Sequence, residues 1–144
     1  MLALSTKGRY ATRILVFMAN SGKAVSKPEI SSAEEISTHY IEQILIKLKT
    51  AGLVRSFRGP KGGFSLARNA DSITVSEVLA ATEGPVCLAP CIGDTCGRQL
   101  RCATKLVWQK ATEALNAAFS ETTIGKIAKN AANIGICAGW AYEI

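Results

Sequence analysis

Apolar positions recur every three or four residues over most of the chain and switch to alternation in one short stretch. Tyr10, Ile14, Phe17 and Met18 keep helical spacing, with Ser5 or Thr6 able to cap the segment and Gly22 placed to stop it. A first helix is expected there. Ser26-Lys27-Pro28-Glu29 reads as a capping box, with proline in the first turn where its missing N–H is not needed, so a short second helix follows. Ser37 caps a third, in which Ile41, Ile44, Leu45 and Leu48 form one stripe and Gly52 is suited to a left-handed ending. Helices two and three are a helix-turn-helix candidate.

After Gly52 the pattern becomes extended. Leu53–Arg58 and Phe64–Arg68 read as two short strands around Gly59-Pro60-Lys61-Gly62-Gly63, a turn flanked by cations. Alone this is an ordinary hairpin; directly behind a helix-turn-helix it is a basic wing. Thr74-Val75-Ser76-Glu77 is a second capping box, opening a helix with Val75, Val78 and Leu79 inward that runs out near Glu83-Gly84-Pro85. From about Leu100, the positions Leu106, Val107, Ala111, Ala114, Leu115, Ala118 and Phe119 mark a long amphipathic helix suited to pairing with a twin. The expected fold is mainly α with a small β-wing. A winged helix-turn-helix occupies residues 1–84, a cysteine-rich loop 85–102, and a dimerisation helix with a small, apolar tail 103–144. That tail carries Cys137, Trp140 and Tyr142, with Cys137 expected as a packed thiol.

At 144 residues the chain is too short for a two-domain enzyme. Its apolar runs fall short of the roughly 20 residues of a membrane span. The stretch after Lys7, Arg9 and Arg13 is shorter than a secretory h-region of about 7–15 residues. A cytoplasmic protein without membrane contact is expected. The formal charge is +6, unevenly placed: Met1–Pro28 holds five bases and no acid, and Leu45–Arg68 six bases and no acid. Such stretches suit either a polyanion or a solubilising surface. The wing and the third helix favour double-stranded DNA. Opposite the apolar stripe of that helix lie His39, Gln43, Ile46 and Thr50. Gln43 can bond adenine bidentately, His39 can donate or accept, and Ser37, Thr38 and Tyr40 near the helix start suit phosphate or base contacts. Ile46 fits either packing on a neighbouring element or touching a thymine methyl.

Cys87, Cys91, Cys96 and Cys102 stand with three, four and five residues between them, so four of five cysteines fall within sixteen residues. Disulfides conflict with a cytoplasmic setting. Zinc usually takes closer pairs. An iron-sulfur cluster, 2Fe-2S or 4Fe-4S, fits better, since it takes thiolates and Arg98, Arg101 and Lys105 offset its charge. Enzymatic thiol chemistry is disfavoured: there is no Cys-x-x-Cys, a single histidine, and no phosphate-cradling loop.

From Leu4 to about Lys129 the chain resembles the Rrf2 family of winged helix-turn-helix regulators. The likeness is carried by Leu4-Ser5-Thr6-Lys7-Gly8-Arg9-Tyr10-Ala11, Tyr40-Ile41-Glu42-Gln43, Ala51-Gly52-Leu53-Val54, Arg58-Gly59-Pro60-Lys61-Gly62-Gly63-Phe64, Ile73-Thr74-Val75, the cysteine loop and Trp108. It implies a homodimeric transcription factor on a palindromic operator, often a repressor, with a redox- or nitric-oxide-sensitive iron-sulfur cluster. It implies Cys91, Cys96 and Cys102 as ligands, and Tyr40, Gln43 and Arg58 on DNA, with Lys61 beside them on the wing. One branch completes its site with a histidine where Lys105 stands here, and another with an aspartate where Arg9 stands. The fourth ligand is therefore open, with Cys87 the nearest candidate and Asp94 behind it. A regulator controlled by a protein or metabolite partner, without a cluster, is the alternative.

Overall fold

The computed structural model describes residues 3–93, 96–98 and 101–133. Asp94 and the tail residues Cys137, Trp140 and Tyr142 lie outside them. Helix α1 (Thr6–Ser21) starts on Ser5, whose Oγ accepts from the Gly8 amide at 3.2 Å, and ends on Gly22 at φ 63°. Helix α2 (Lys27–Glu34) opens with the Ser26/Glu29 box, both reciprocal bonds being made. Helix α3 (Thr38–Thr50) is capped by Ser37. Its end is a Schellman turn, in which the Leu53 amide donates to Leu48 O at 2.9 Å around Gly52 at φ 71°. That turn seats Leu53 beside Leu48, both buried, and aims the chain into the wing.

Strands β1 (Val54–Phe57) and β2 (Gly63–Leu66) pair antiparallel, with Val54 opposite Leu66 and Phe57 opposite Gly63. Val25 adds a bridge to Phe64, donating at 2.9 Å and accepting at 2.8 Å. A Cβ on Gly63, at φ 154°, would come within 2.6 Å of Val25 O, so only glycine lets the wing lie against the α1–α2 connection. A 3-10 turn (Ala70–Ser72) leads to α4 (Val75–Glu83), which begins with the Thr74/Glu77 box and closes on Gly84.

Helix α1 is the axis of the core, touching α2, α3, α4 and β2. Ile14, Leu15, Ile30, Ile41, Ile44, Leu48, Leu53 and Ile73 are sealed around it. Each contributes roughly 1.5–3 kcal/mol by leaving water. After the one-turn α5 (Pro90–Gly93), α6 (Lys105–Glu121) runs along α4. It starts later than the apolar pattern suggests. It also stops at Thr122, where extended backbone bridges Thr123 to Thr74 and the Ile124 amide donates to Ile73 O at 2.8 Å. Helix α7 (Ile124–Asn133) then returns to α1 and the 3-10 turn. It buries Ile124 and Ala128, and Lys129 pairs with Asp71 at 2.8 Å. The sequence pattern did not show this return. Among the described residues no helix is long and apolar enough to cross a membrane.

Candidate nucleic-acid interface and cysteine loop

The face of α3 turned from the core carries His39, Gln43, Ile46 and Thr50, all exposed. Gln43 Nε2 and His39 Nε2 stand 3.0 Å apart, so one side chain steadies the other. Ile46 is 61% exposed, a large apolar side chain facing solvent on this face. Ser37 Oγ accepts the Tyr40 amide at 3.3 Å and is occupied as a cap, while Thr38 beside it is exposed. Tyr40 is half-buried, its ring edge-on to Tyr10 at 5.9 Å, with the Arg13 guanidinium over Tyr10 at 5.4 Å. Arg58 and Lys61 stand exposed at the wing, in no ion pair among the described residues. Lys49 Nζ donates to Ser56 Oγ at 2.8 Å and braces β1 against α3.

The two acid-free stretches are partly neutralised by acids from elsewhere in the chain. Arg13 meets buried Glu34 at 2.7 Å, Lys23 meets Glu29 at 3.3 Å, Lys27 meets Glu42 at 3.1 Å, and Arg68 meets Glu77. The positive field is thereby concentrated on the wing and the end of α3, where Lys47, Lys49, Arg55, Arg58 and Lys61 cluster in sequence. Linear charge counting cannot see these pairings.

Cys87, Cys91, Cys96 and Cys102 are all free thiols, Cys87 exposed and the others half-buried. Cys87 Sγ donates to Ala89 O at 3.1 Å. Cys102 lies just before α6, its Sγ 3.4 Å from Thr104 Oγ1. The hydrogen bond from Thr104, then the Lys105 amide at the helix start, and the charge of Arg98 hold its thiol below the ordinary value. A thiol biased toward thiolate among cations is the donor chemistry that iron takes. Among the described residues no three His, Cys, Asp or Glu side chains stand close enough to hold a metal ion together. The donor set fits a cluster, but the described residues do not form a ready-made cage for it.

The loop's first segment is tied to α6. The Leu88 amide donates to Thr112 Oγ1 at 3.3 Å, and Asn116 Nδ2 donates to Val86 O at 3.1 Å. Sequence reasoning passed over both residues. The signal available was two polar residues four apart on the stripe that also carries Leu115 and Phe119.

Comparison with known proteins agrees with this architecture. Residues 4–130 match the Rrf2 family, described as iron-dependent transcriptional regulator. The HTH-type transcriptional regulator IscR of Cereibacter sphaeroides is 39% identical over 137 residues, covering 90% of this chain and 88% of that protein. The Escherichia coli protein of the same name is 34% identical over 132 residues, covering 90% and 82%. Among solved structures, CymR, the global cysteine regulator of B. subtilis, is similar with a TM-score of 0.79 and 30% identity, covering 90% of this chain and 98% of that one. IscR of T. potens is similar with a TM-score of 0.77 and 29% identity, covering 98% and 96%. A winged helix-turn-helix with an exposed recognition face, matched over nearly its whole length, is a DNA-binding regulator rather than an enzyme, and the chain belongs to the Rrf2 family of transcriptional regulators.

Proposed function

We propose that this regulator acts in the cytoplasm as a homodimeric repressor on a palindromic operator, and that an iron-sulfur cluster in the 85–102 loop sets its affinity. Cys91, Cys96 and Cys102 would hold the cluster, with Cys87 the fourth ligand; the type, 2Fe-2S or 4Fe-4S, follows from loading. The observation that carries the reading is four free thiols in one loop, suspended between the C-terminus of α4 and the start of α6. A bound cluster supplies a redox- and nitric-oxide-sensitive centre that ties the thiols of the loop together.

The chain's own residues do the rest. Helix α3 enters the major groove with Gln43 on a base edge and His39 orienting it; Ile46 offers an apolar contact to a thymine methyl. Ser37, Thr38 and Tyr40 meet the backbone at the start of α3, while Arg58 and Lys61 hold flanking phosphates from the wing. Leu106, Val107 and Trp108, exposed along the start of α6, face the second copy and set the spacing of the two recognition helices. A second reading, control by a protein or metabolite partner with no cluster, is favoured by one observation: the thiols do not converge among the described residues.

The test is anaerobic purification with iron and sulfide assayed per chain, beside operator binding by wild type and by a Cys91→Ala/Cys96→Ala/Cys102→Ala variant. The expected result is a coloured wild type, a colourless variant and an operator affinity that differs between them by about 5-fold or more. Unchanged iron and unchanged affinity in the variant would sink the reading. A colourless wild type whose binding changes only on adding a partner would install the second.

A further inference from the structure

Helix α4 has no cation in its own last turn, and the carbonyls there need partners. One comes from the recognition helix: Lys47 Nζ donates to Thr82 O at 2.8 Å, although the two residues are thirty-five apart in sequence. Thr82 is a fixed point, 4% exposed, with its hydroxyl donating back to Val78 O at 2.9 Å. The chain then turns sharply at Gly84, φ 91° and ψ −178°, a conformation open essentially to glycine alone. Two residues later α6 takes hold, through Asn116 on Val86 O and Thr112 on the Leu88 amide. Thr112 is the buried residue of α6. Cys87 sits between the two gripped positions. Residues 82–88 are thus held on one side by α3 and on the other by α6, and α4 packs against both helices.

We propose that this stem is a joint between the cysteine loop and the DNA-reading face, with Lys47 the positioning residue that couples α3 to it and Asn116 and Thr112 its anchors on α6. The proposal rests on the cysteine-control reading above. Any pull on Cys87 acts on a segment whose upstream end is bonded to the recognition helix, so that the placement of α3 relative to α6 depends on the state of the loop. Coupling of this kind usually amounts to about 5–150-fold in affinity.

The experiment compares Lys47→Met, Lys47→Arg and Asn116→Ala with wild type. Operator affinity is measured on the loaded protein and on protein stripped anaerobically with a chelator, and hydrogen exchange at the Leu88 amide is followed in the stripped form. In Lys47→Met the loaded-to-stripped affinity ratio is expected to fall toward one with iron content kept, and exchange at Leu88 to quicken. Lys47→Arg, which keeps a donor, should retain the wild-type ratio. Asn116→Ala, on a helix away from the DNA-reading face, should collapse the ratio as Lys47→Met does. If Lys47→Met weakens both forms equally, with ratio and exchange unmoved, Lys47 is only a phosphate contact and the joint is overturned. If it moves the ratio but Asn116→Ala does not, the two-sided joint is likewise overturned. A wild-type ratio of one overturns the cysteine-control reading, and the joint with it; a wild-type ratio far from one that survives both substitutions overturns the joint alone.

Discussion

Helices α1 and α6 are nearly the same length, 16 and 17 residues, and both carry an apolar stripe, yet they are used in opposite ways. Helix α1 buries Gly8, Ala11, Ile14, Leu15 and Met18 against elements of its own chain, whereas α6 buries Thr112 and leaves Leu106 65%, Val107 57% and Trp108 45% exposed. An amphipathic pattern states that a face wants cover, without stating whose. The core around α1 is closed by elements of its own chain, α7 among them. The exposed start of α6 is the face that a second molecule would cover in the proposed dimer.

Substituting one apolar residue on each helix tests that contrast most directly. Ile14→Ala removes a side chain with no exposed surface and should cost about 2–5 kcal/mol in urea unfolding. Leu106→Ala removes one that is mostly in water within the single chain. Its loss should appear as a raised dimer dissociation constant in sedimentation equilibrium and as a lower unfolding midpoint that depends less steeply on protein concentration once that concentration nears the constant. If Leu106→Ala left the dissociation constant untouched, α6 would need another partner or none.

A finer contrast lies inside the DNA-reading unit, between the face of α3 and the wing. Gln43→Ala should cost on the order of 1–3 kcal/mol at one base pair of the operator and little at others. Lys61→Ala should weaken binding to all sequences alike and reduce the slope of log affinity against log salt by about 1. Fluorescence anisotropy on a panel of single-base operator variants at several salt concentrations separates the two. A uniform loss from Gln43→Ala would mean that α3 does not read bases through this face.

The contrast between α1 and α6 also marks how far the sequence could be read. Local rules located the caps and stops: Ser5, Ser26, Ser37 and Thr74 each cap as their spacing suggests, and Gly22 and Gly52 end helices in the left-handed region. The α3 stripe of Ile41, Ile44, Leu45 and Leu48 is buried to the last residue. Interactions between distant segments were invisible. The break at Thr122 is set by bonds to Ile73 and Thr74, and although Thr123 caps α7 by accepting the Lys126 amide at 3.1 Å, a threonine inside a run of helical spacing did not mark the break, so α7 and its buried Ile124 went unread. The same holds for the site, where residue types and spacing pointed to Gln43, Arg58 and the cysteines. Lys47, Thr112 and Asn116 became visible only when the fold brought α3 and α6 to either side of one stem.

The smallest expected effect concerns the helix starts around the closed core. The Ser26 amide, then the Ser26 hydroxyl and Lys23, hold the Glu29 carboxyl down from its usual 4.5 to about 2. The Thr74 amide lowers Glu77 most; burial opposes it, and the Arg68 guanidinium and the Thr74 hydroxyl add to the lowering. Both groups are more acidic folded than unfolded, so each contributes stability that is fully present above its unfolded pKa and is lost as pH falls through the folded one. For Glu29 that window runs from about 4.5 down to about 2. Glu29→Gln should therefore leave a flatter acid limb than wild type in urea midpoints taken between pH 5 and pH 2, while differing less from wild type at the acid end than at pH 7. Glu77→Gln should act in the same direction from the first turn of α4. Parallel acid limbs for wild type and Glu29→Gln would show that the α2 box, although formed, is not coupled to folding.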